Sequence, residues 1–183
     1  KARKIMDLFG QNTSGASFSD DGKYRYKLWR LWDMSKPIAM CIGLNPSTAN
    51  ATKADPTITN LTKMLNKLDY GGFYMTNLVA WISSNPEDLL TCTDPIGEND
   101  KVLKEVRELC QDVIVCWGAF SEAEERIKKV LPLFSGALCF GINKNGTPMH
   151  PLSMMYQGKT NKPELYYYNH LVREQEAFNS LKT

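Results

Sequence analysis

The chain has 183 residues, of which 43% are hydrophobic and 23% charged, and its formal net charge is +2. Such a length suits a single domain spanning residues 1–183, and this apolar share is enough for a sizeable core, which excludes a disordered chain. No apolar run approaches the ~18–20 residues of a membrane helix, and the charge excludes a histone-like polycation while allowing a local basic patch.

In chain order, residues 1–15 read as a loosely held N-terminal segment. Asp20-Asp21-Gly22-Lys23 then precedes the alternating aromatic and basic stretch Tyr24–Trp32, which is a hairpin signal. In that hairpin the aromatics are expected to pack inward, with Lys23, Arg25, Lys27 and Arg30 on a solvated face. The apolar run Ile38–Leu44 reads as a buried strand. Ile58, Leu61, Met64, Leu65 and Leu68 have helical spacing, which predicts a helix from Pro56 to Leu68, closed by Gly71-Gly72. A second apolar strand follows at Phe73–Val79. A helix is expected near Glu98–Cys110, a third strand at Asp112–Trp117, and a helix at Ser121–Leu131 with Ser121 and Glu124 as a capping box. Ala137–Ile142 is a fourth strand, and Glu164–Tyr168 with Leu171–Leu181 would add a short strand and a closing helix. Alternating strands and helices point to a three-layer α/β/α sandwich with a mostly parallel four-stranded central sheet plus the N-terminal β-hairpin.

The five cysteines are an odd number, and the basic start Lys1–Asp7 lacks a secretory apolar region. Free thiols in a reducing, cytoplasmic setting are therefore expected. Cys41, Cys116 and Cys139 sit in apolar runs, as small core hydrophobes do. No C-x-x-C pair occurs and His150 and His170 do not form a zinc-binding pair, so neither metal nor cofactor is expected.

In an open parallel sheet, ligands bind beyond the carboxyl ends of the strands. After the successive strands come Gly43-Leu44-Asn45-Pro46-Ser47, then Asn77 and Trp81, then Trp117-Gly118-Ala119, then a loop ending His150-Pro151-Leu152-Ser153. Amides, small residues and glycines without an acidic cluster suit an uncharged polar heterocycle with neighbouring phosphates.

These four segments, in this order, resemble the uracil-DNA glycosylase superfamily. Gly43-Leu44-Asn45-Pro46 matches its water-positioning loop, most closely in the mismatch-specific uracil/thymine branch. Phe73–Asn77 matches its base-reading strand, Trp117-Gly118-Ala119 a later strand end, and His150-Pro151-Leu152-Ser153 a shortened form of its final motif. The stretch from Asn45 to Thr57, with Asp55-Pro56-Thr57, also resembles an uncharacterised family of bacterial and phage proteins related to these glycosylases. The resemblance implies base flipping into a pocket and hydrolysis of a pyrimidine N-glycosidic bond. It implies Asn45 holding the water, Asn77 reading the base edge, and His150 stabilising the departing base. Gly43, Leu44 and Trp81 would complete the base pocket. Ser47, Gly118, Ala119 and Ser153 would bind flanking phosphates, and Leu152 or Met154 would act as an intercalating wedge.

This sequence departs from the family's pattern in three ways. No aromatic residue near Asn45 matches the base-stacking one, the His150 loop lacks a second proline, and the loop from Ser47 to Thr57 is long. Asp55 in that loop is a candidate base or nucleophile. The expected partner is DNA, bound weakly and salt-sensitively, or a nucleotide. The alternatives are a non-catalytic module sensing a nucleotide or modified base, and a protein-interaction role in phage–host conflict.

Overall fold

The computed structural model describes residues 13–181, except for the side chain of Ser121. Most of the expected N-terminal segment lies outside the described residues. Its last residues, Thr13–Gly15, are not loose, because they begin strand β1 (Thr13–Phe18), which pairs antiparallel with β2 (Arg25–Leu31). The turn between them is closed by Ser19 N–H donating to Tyr24 O at 3.0 Å.

The remaining strands are β3 (Ile38–Gly43), β4 (Gly72–Asn77), β5 (Asp112–Val115), β6 (Leu138–Cys139) and β7 (Tyr166–Tyr167). The sheet order is β1-β2-β4-β3-β5-β6-β7. β3 runs parallel to β4 and β5, and β5 parallel to β6, whereas β2 joins β4 and β7 joins β6 antiparallel. The sheet is therefore mixed and seven-stranded. This corrects the expected four-stranded, mostly parallel sheet with a separate hairpin. The hairpin hydrogen-bonds directly onto the free edge of β4, and β7 onto that of β6, so neither edge of the parallel strands is left open.

β3 is buried at all six positions, as a central strand covered on both faces must be. Its residues alternate between two apolar clusters. Ile38, Met40 and Ile42 meet Leu103 and Val106 of helix α2 (Asn99–Arg107), Val130 of α3 (Glu124–Val130) and Tyr168 of α5 (Tyr168–Ser180). Ala39 and Cys41 meet Ile58, Leu61, Met64 and Leu65 of α1 (Pro56–Lys67) and Met154 of α4 (Pro151–Tyr156). Each fully buried side chain of this size contributes about 1.5–3 kcal/mol relative to exposure.

Local signals account for the helix ends. Asp55 is the N-cap of α1, its Oδ1 accepting from Ile58 N–H at 2.9 Å, and Pro56 follows at the first helical position, where its missing N–H has no consequence. The helix stops at Asp69, which takes a left-handed φ of 64°. The expected capping box at Ser121 is corrected: a 3₁₀ turn occupies Ser121–Ala123, and α3 is capped by Ala123 with no side-chain bond. All five cysteines are unpaired, with Cys41, Cys110, Cys116 and Cys139 buried. Burial pushes the Cys110 and Cys116 thiols up to about 12, so they are inert at neutral pH. Among the described residues no helix is long and apolar enough to cross a membrane.

Candidate functional site

A cavity of about 550 Å³ opens at the carboxyl ends of β3, β4 and β5. Because β3 lies between β4 and β5, the loops leaving these three strands are neighbours in space although 30–40 residues apart in sequence. The loop ahead of α4 reaches the same rim. The lining includes Gly43, Leu44, Asn45, Ser47, Asp55, Asn77, Gly118, Ala119, His150 and Leu152, all expected from sequence.

Asn77 forms the floor. It is 1% exposed, and neither its Oδ1 nor its Nδ2 has a hydrogen-bond partner among the described residues. Leaving a buried amide unpaired costs about 1–3 kcal/mol, so such a group in a cavity wall marks a place for a ligand. The glycine at position 43 lets the Asn77 and Met75 side chains lie close to the β3 backbone. A Cβ there would lie 2.8 Å from Asn77 Oδ1 and 2.6 Å from Met75 Cε.

Asn45 is half-buried and donates through Nδ2 to the carbonyls of Ser83 (2.8 Å) and Pro46 (3.2 Å). Ser83 N–H returns a bond to Pro46 O at 3.0 Å, so the loops after β3 and β4 are sewn together. With its donor engaged, Asn45 faces a ligand as an acceptor through Oδ1.

His150 is the N-cap of α4, and its Nδ1 accepts from Leu152 N–H at 3.2 Å. That bond requires Nδ1 to be unprotonated, so the neutral ring carries its proton on Nε2. Burial lowers the imidazole below its ordinary value of 6.5, against a weaker opposing pull from Asp55. At neutral pH His150 is a neutral Nε2–H donor lining the cavity.

The remaining assignments change. Asp55 lines the cavity, but its Oδ1 caps α1 and its Oδ2 accepts from Ser47 Oγ at 2.7 Å. Ser47 therefore offers no hydroxyl proton to a phosphate and sits against a carboxylate that repels one. Gly118 adopts φ 83° and its N–H donates to Pro148 O at 3.1 Å, which removes it as a phosphate donor. Ala119 is exposed at the rim with no bond to its N–H among the described residues, and keeps that capacity.

Trp81 does not reach the cavity. It packs edge-on against Tyr24, ring centroids 5.5 Å apart, and lines a separate hollow with Asp88, Thr91, Cys92, Thr93 and Asp94. Its bridge to Tyr24 turns it away from Asn77. Ser153 is half-buried outside the cavity lining, and Met154 is 2% exposed in the core beside α1. The helix separates Leu152 and Met154 by about 200°, so only Leu152 lines the cavity.

Arg25 is a lining residue the sequence pattern hides. Rather than lying on a solvated face, it is 2% exposed, and its Nη1 donates to Ala49 O at 2.7 Å. Arg30, half-buried, donates through Nη2 to Asn50 O, so both arginines brace the loop between β3 and α1. Asn99, also missed, is fully buried and donates to the carbonyls of Asn77 (2.8 Å) and Leu78 (3.2 Å). Nothing in the sequence beyond a polar residue opening a helix marks it. Among the described residues no group of three or more His, Cys, Asp or Glu side chains is disposed to hold a metal ion.

No curated protein and no solved structure matches the chain. A family model, described as a protein of unknown function (DUF1643), matches residues 25–152. Those limits, Arg25 and Leu152, are also the first and last residues along the chain that line the cavity. A match covering more than half the chain and spanning its whole cavity identifies the protein as a member of the DUF1643 family.

Proposed function

We propose that the protein is a glycosylase-like enzyme on a three-layer α/β/α sandwich of the uracil-DNA glycosylase type. Its cavity receives the base of a flipped pyrimidine nucleotide, and water cleaves the N-glycosidic bond. The observation that carries this reading is the Asn77 amide, buried at the cavity floor with donor and acceptor both unpartnered. A pyrimidine edge offers the complementary acceptor and donor.

In this reading the C1′–N1 bond breaks and a C1′–O bond forms to a water held by Asn45 Oδ1. The electron pair of the broken bond departs with the base, whose carbonyl oxygen is stabilised by His150 Nε2–H; donors aimed at developing charge are commonly a large catalytic term. The Asp55 carboxylate, its oxygens engaged by Ile58 N–H and Ser47 Oγ, favours the positive charge developing at C1′ through space, and the water's proton passes to solvent. DNA would be held weakly and salt-sensitively, since a net charge of +2 leaves few cations to neutralise phosphates, in a cytoplasmic setting.

Incubation with single- and double-stranded oligonucleotides carrying uracil, 5-hydroxymethyluracil or mismatched thymine, followed by alkaline strand cleavage, tests this. Abasic sites are expected with at least one of these bases. The absence of both base release and base-dependent binding with every one of these oligonucleotides would overturn it. One observation favours a second reading, a non-catalytic nucleotide-binding module: Ser47 Oγ and Gly118 N–H, which would grip flanking phosphates, are committed within the protein. Saturable binding without base release would select it.

A further inference from the structure

Among the described residues Arg25 is the only charged side chain that is buried. It opens β2, where its own N–H donates to Ala80 O at 3.0 Å, so the side chain rises from a fixed strand into the cavity wall. A guanidinium has five N–H donors in a rigid fork. In Arg25, Nη1 meets Ala49 O, while Nε is buried with no partner among the described residues, and no carboxylate forms an ion pair with it. A purely structural brace for the loop needs neither the charge nor the unused donors. An amide or hydroxyl would bond Ala49 O without the penalty of burying an ion.

The other charge in the cavity does not answer this need. Asp55 acts on Arg25 only through space, and both its oxygens are already claimed by Ser47 Oγ and Ile58 N–H. Burial pulls the Arg25 guanidinium down to about 10, so it remains charged at neutral pH. His150 adds no charge there. The cavity thus pairs an unsatisfied neutral amide, Asn77, with an incompletely satisfied buried cation, Arg25.

We infer that the cavity's ligand carries an anionic oxygen group received by the Arg25 fork, so that the substrate class is a phosphate-bearing nucleotide rather than a free base or nucleoside. This rests on the reading of the cavity as a nucleobase site. The phosphate belongs either to a mononucleotide or to the backbone beside a flipped residue, and both present the same oxygens to the fork.

Titration calorimetry of the full chain with deoxyuridine, dUMP, a short single-stranded oligonucleotide containing one uracil, and inorganic pyrophosphate tests the inference. Expected is binding of dUMP, of the oligonucleotide, or of both, about tenfold or more tighter than deoxyuridine. Arg25→Lys, which keeps the charge but loses the fork, should reduce that preference, and Arg25→Gln should abolish it. Circular dichroism checks that both variants fold, and the comparison within the unsubstituted protein stands even if they do not. Tighter dUMP points to a mononucleotide, and tighter oligonucleotide to a strand. Equal binding of deoxyuridine and both phosphate-bearing probes would overturn the inference and leave the nucleobase reading intact. Arg25-dependent binding of pyrophosphate alone would sustain the anion site and overturn the nucleobase reading. Binding of no probe overturns both.

Discussion

Two asparagines meet at the end of β4 and are almost equally buried, yet they serve opposite ends. Asn99 directs its Nδ2 at the carbonyls of Asn77 and Leu78 and so holds the backbone from which the Asn77 side chain projects. Asn77 directs its own amide at nothing in the protein, although it is 1% exposed. Burial is therefore no measure of function here. The difference lies in which polar atoms the fold itself engages: Asn99 has its donor committed to the scaffold and only Oδ1 unpartnered, whereas Asn77, with neither atom engaged beside a cavity, is a half-made contact.

The sharpest way to break that comparison is Asn77→Ala. Ligand binding should fall by about a hundredfold or more, because a site that hydrogen-bonds its ligand loses both contacts. The melting temperature should hold or rise, since an unsatisfied buried amide is removed. A variant that melts early would make Asn77 structural. Asn99→Ala should do the reverse, lowering stability in urea by about 1–3 kcal/mol as two carbonyls lose their donor. Its binding should weaken less than that of Asn77→Ala.

A smaller effect concerns His150. Its folded-state value lies below the unfolded 6.5, so the unfolded chain binds more protons between the two values. Stability should be complete above about pH 6.5 and decline as pH falls through that window, while Nδ1 gains a proton and loses the Leu152 N–H. Imidazole NMR should find Nδ1 unprotonated at pH 7, and a protonated Nδ1 there would contradict the cap. The smallest effect is expected from Trp81→Phe, which should leave cavity binding within about twofold. A large loss would return Trp81 to the site.

The central strands were legible because β3, β4 and β5 are near-continuous apolar runs, and such runs have one good home, the middle of a sheet covered on both faces. Asn45 and Asn77 were legible with them, since the carboxyl ends of β3 and β4 could be located, whereas His150, in the long loop between β6 and α4, was legible only through the motif His150-Pro151-Leu152-Ser153. Arg25 was not: alternation with Tyr24 and Tyr26 reads as a surface ribbon, and only the antiparallel seating of β2 on β4 turns it inward. Asp55 carried its signal openly, an Asp-Pro at a helix start, yet its capping role competed with a chemical reading of the same carboxylate. The antiparallel attachment of β7 to β6 depends on pairing between residues nearly thirty positions apart, which no local pattern records.

The full burial of β3 has a kinetic consequence. Its amides are bonded on both sides and shut away from water, so their hydrogens should exchange only when the whole domain opens. Across the cavity, Thr48 and Thr52–Ala54 are exposed in the stretch from Ser47 to Asp55, and the amides of that stretch are expected to exchange by local opening. A ligand enclosed between these walls should slow deuterium uptake in that stretch and leave β3, already at its floor rate, unchanged. One wall of the site keeps time with global unfolding, and the other with the arrival of the ligand.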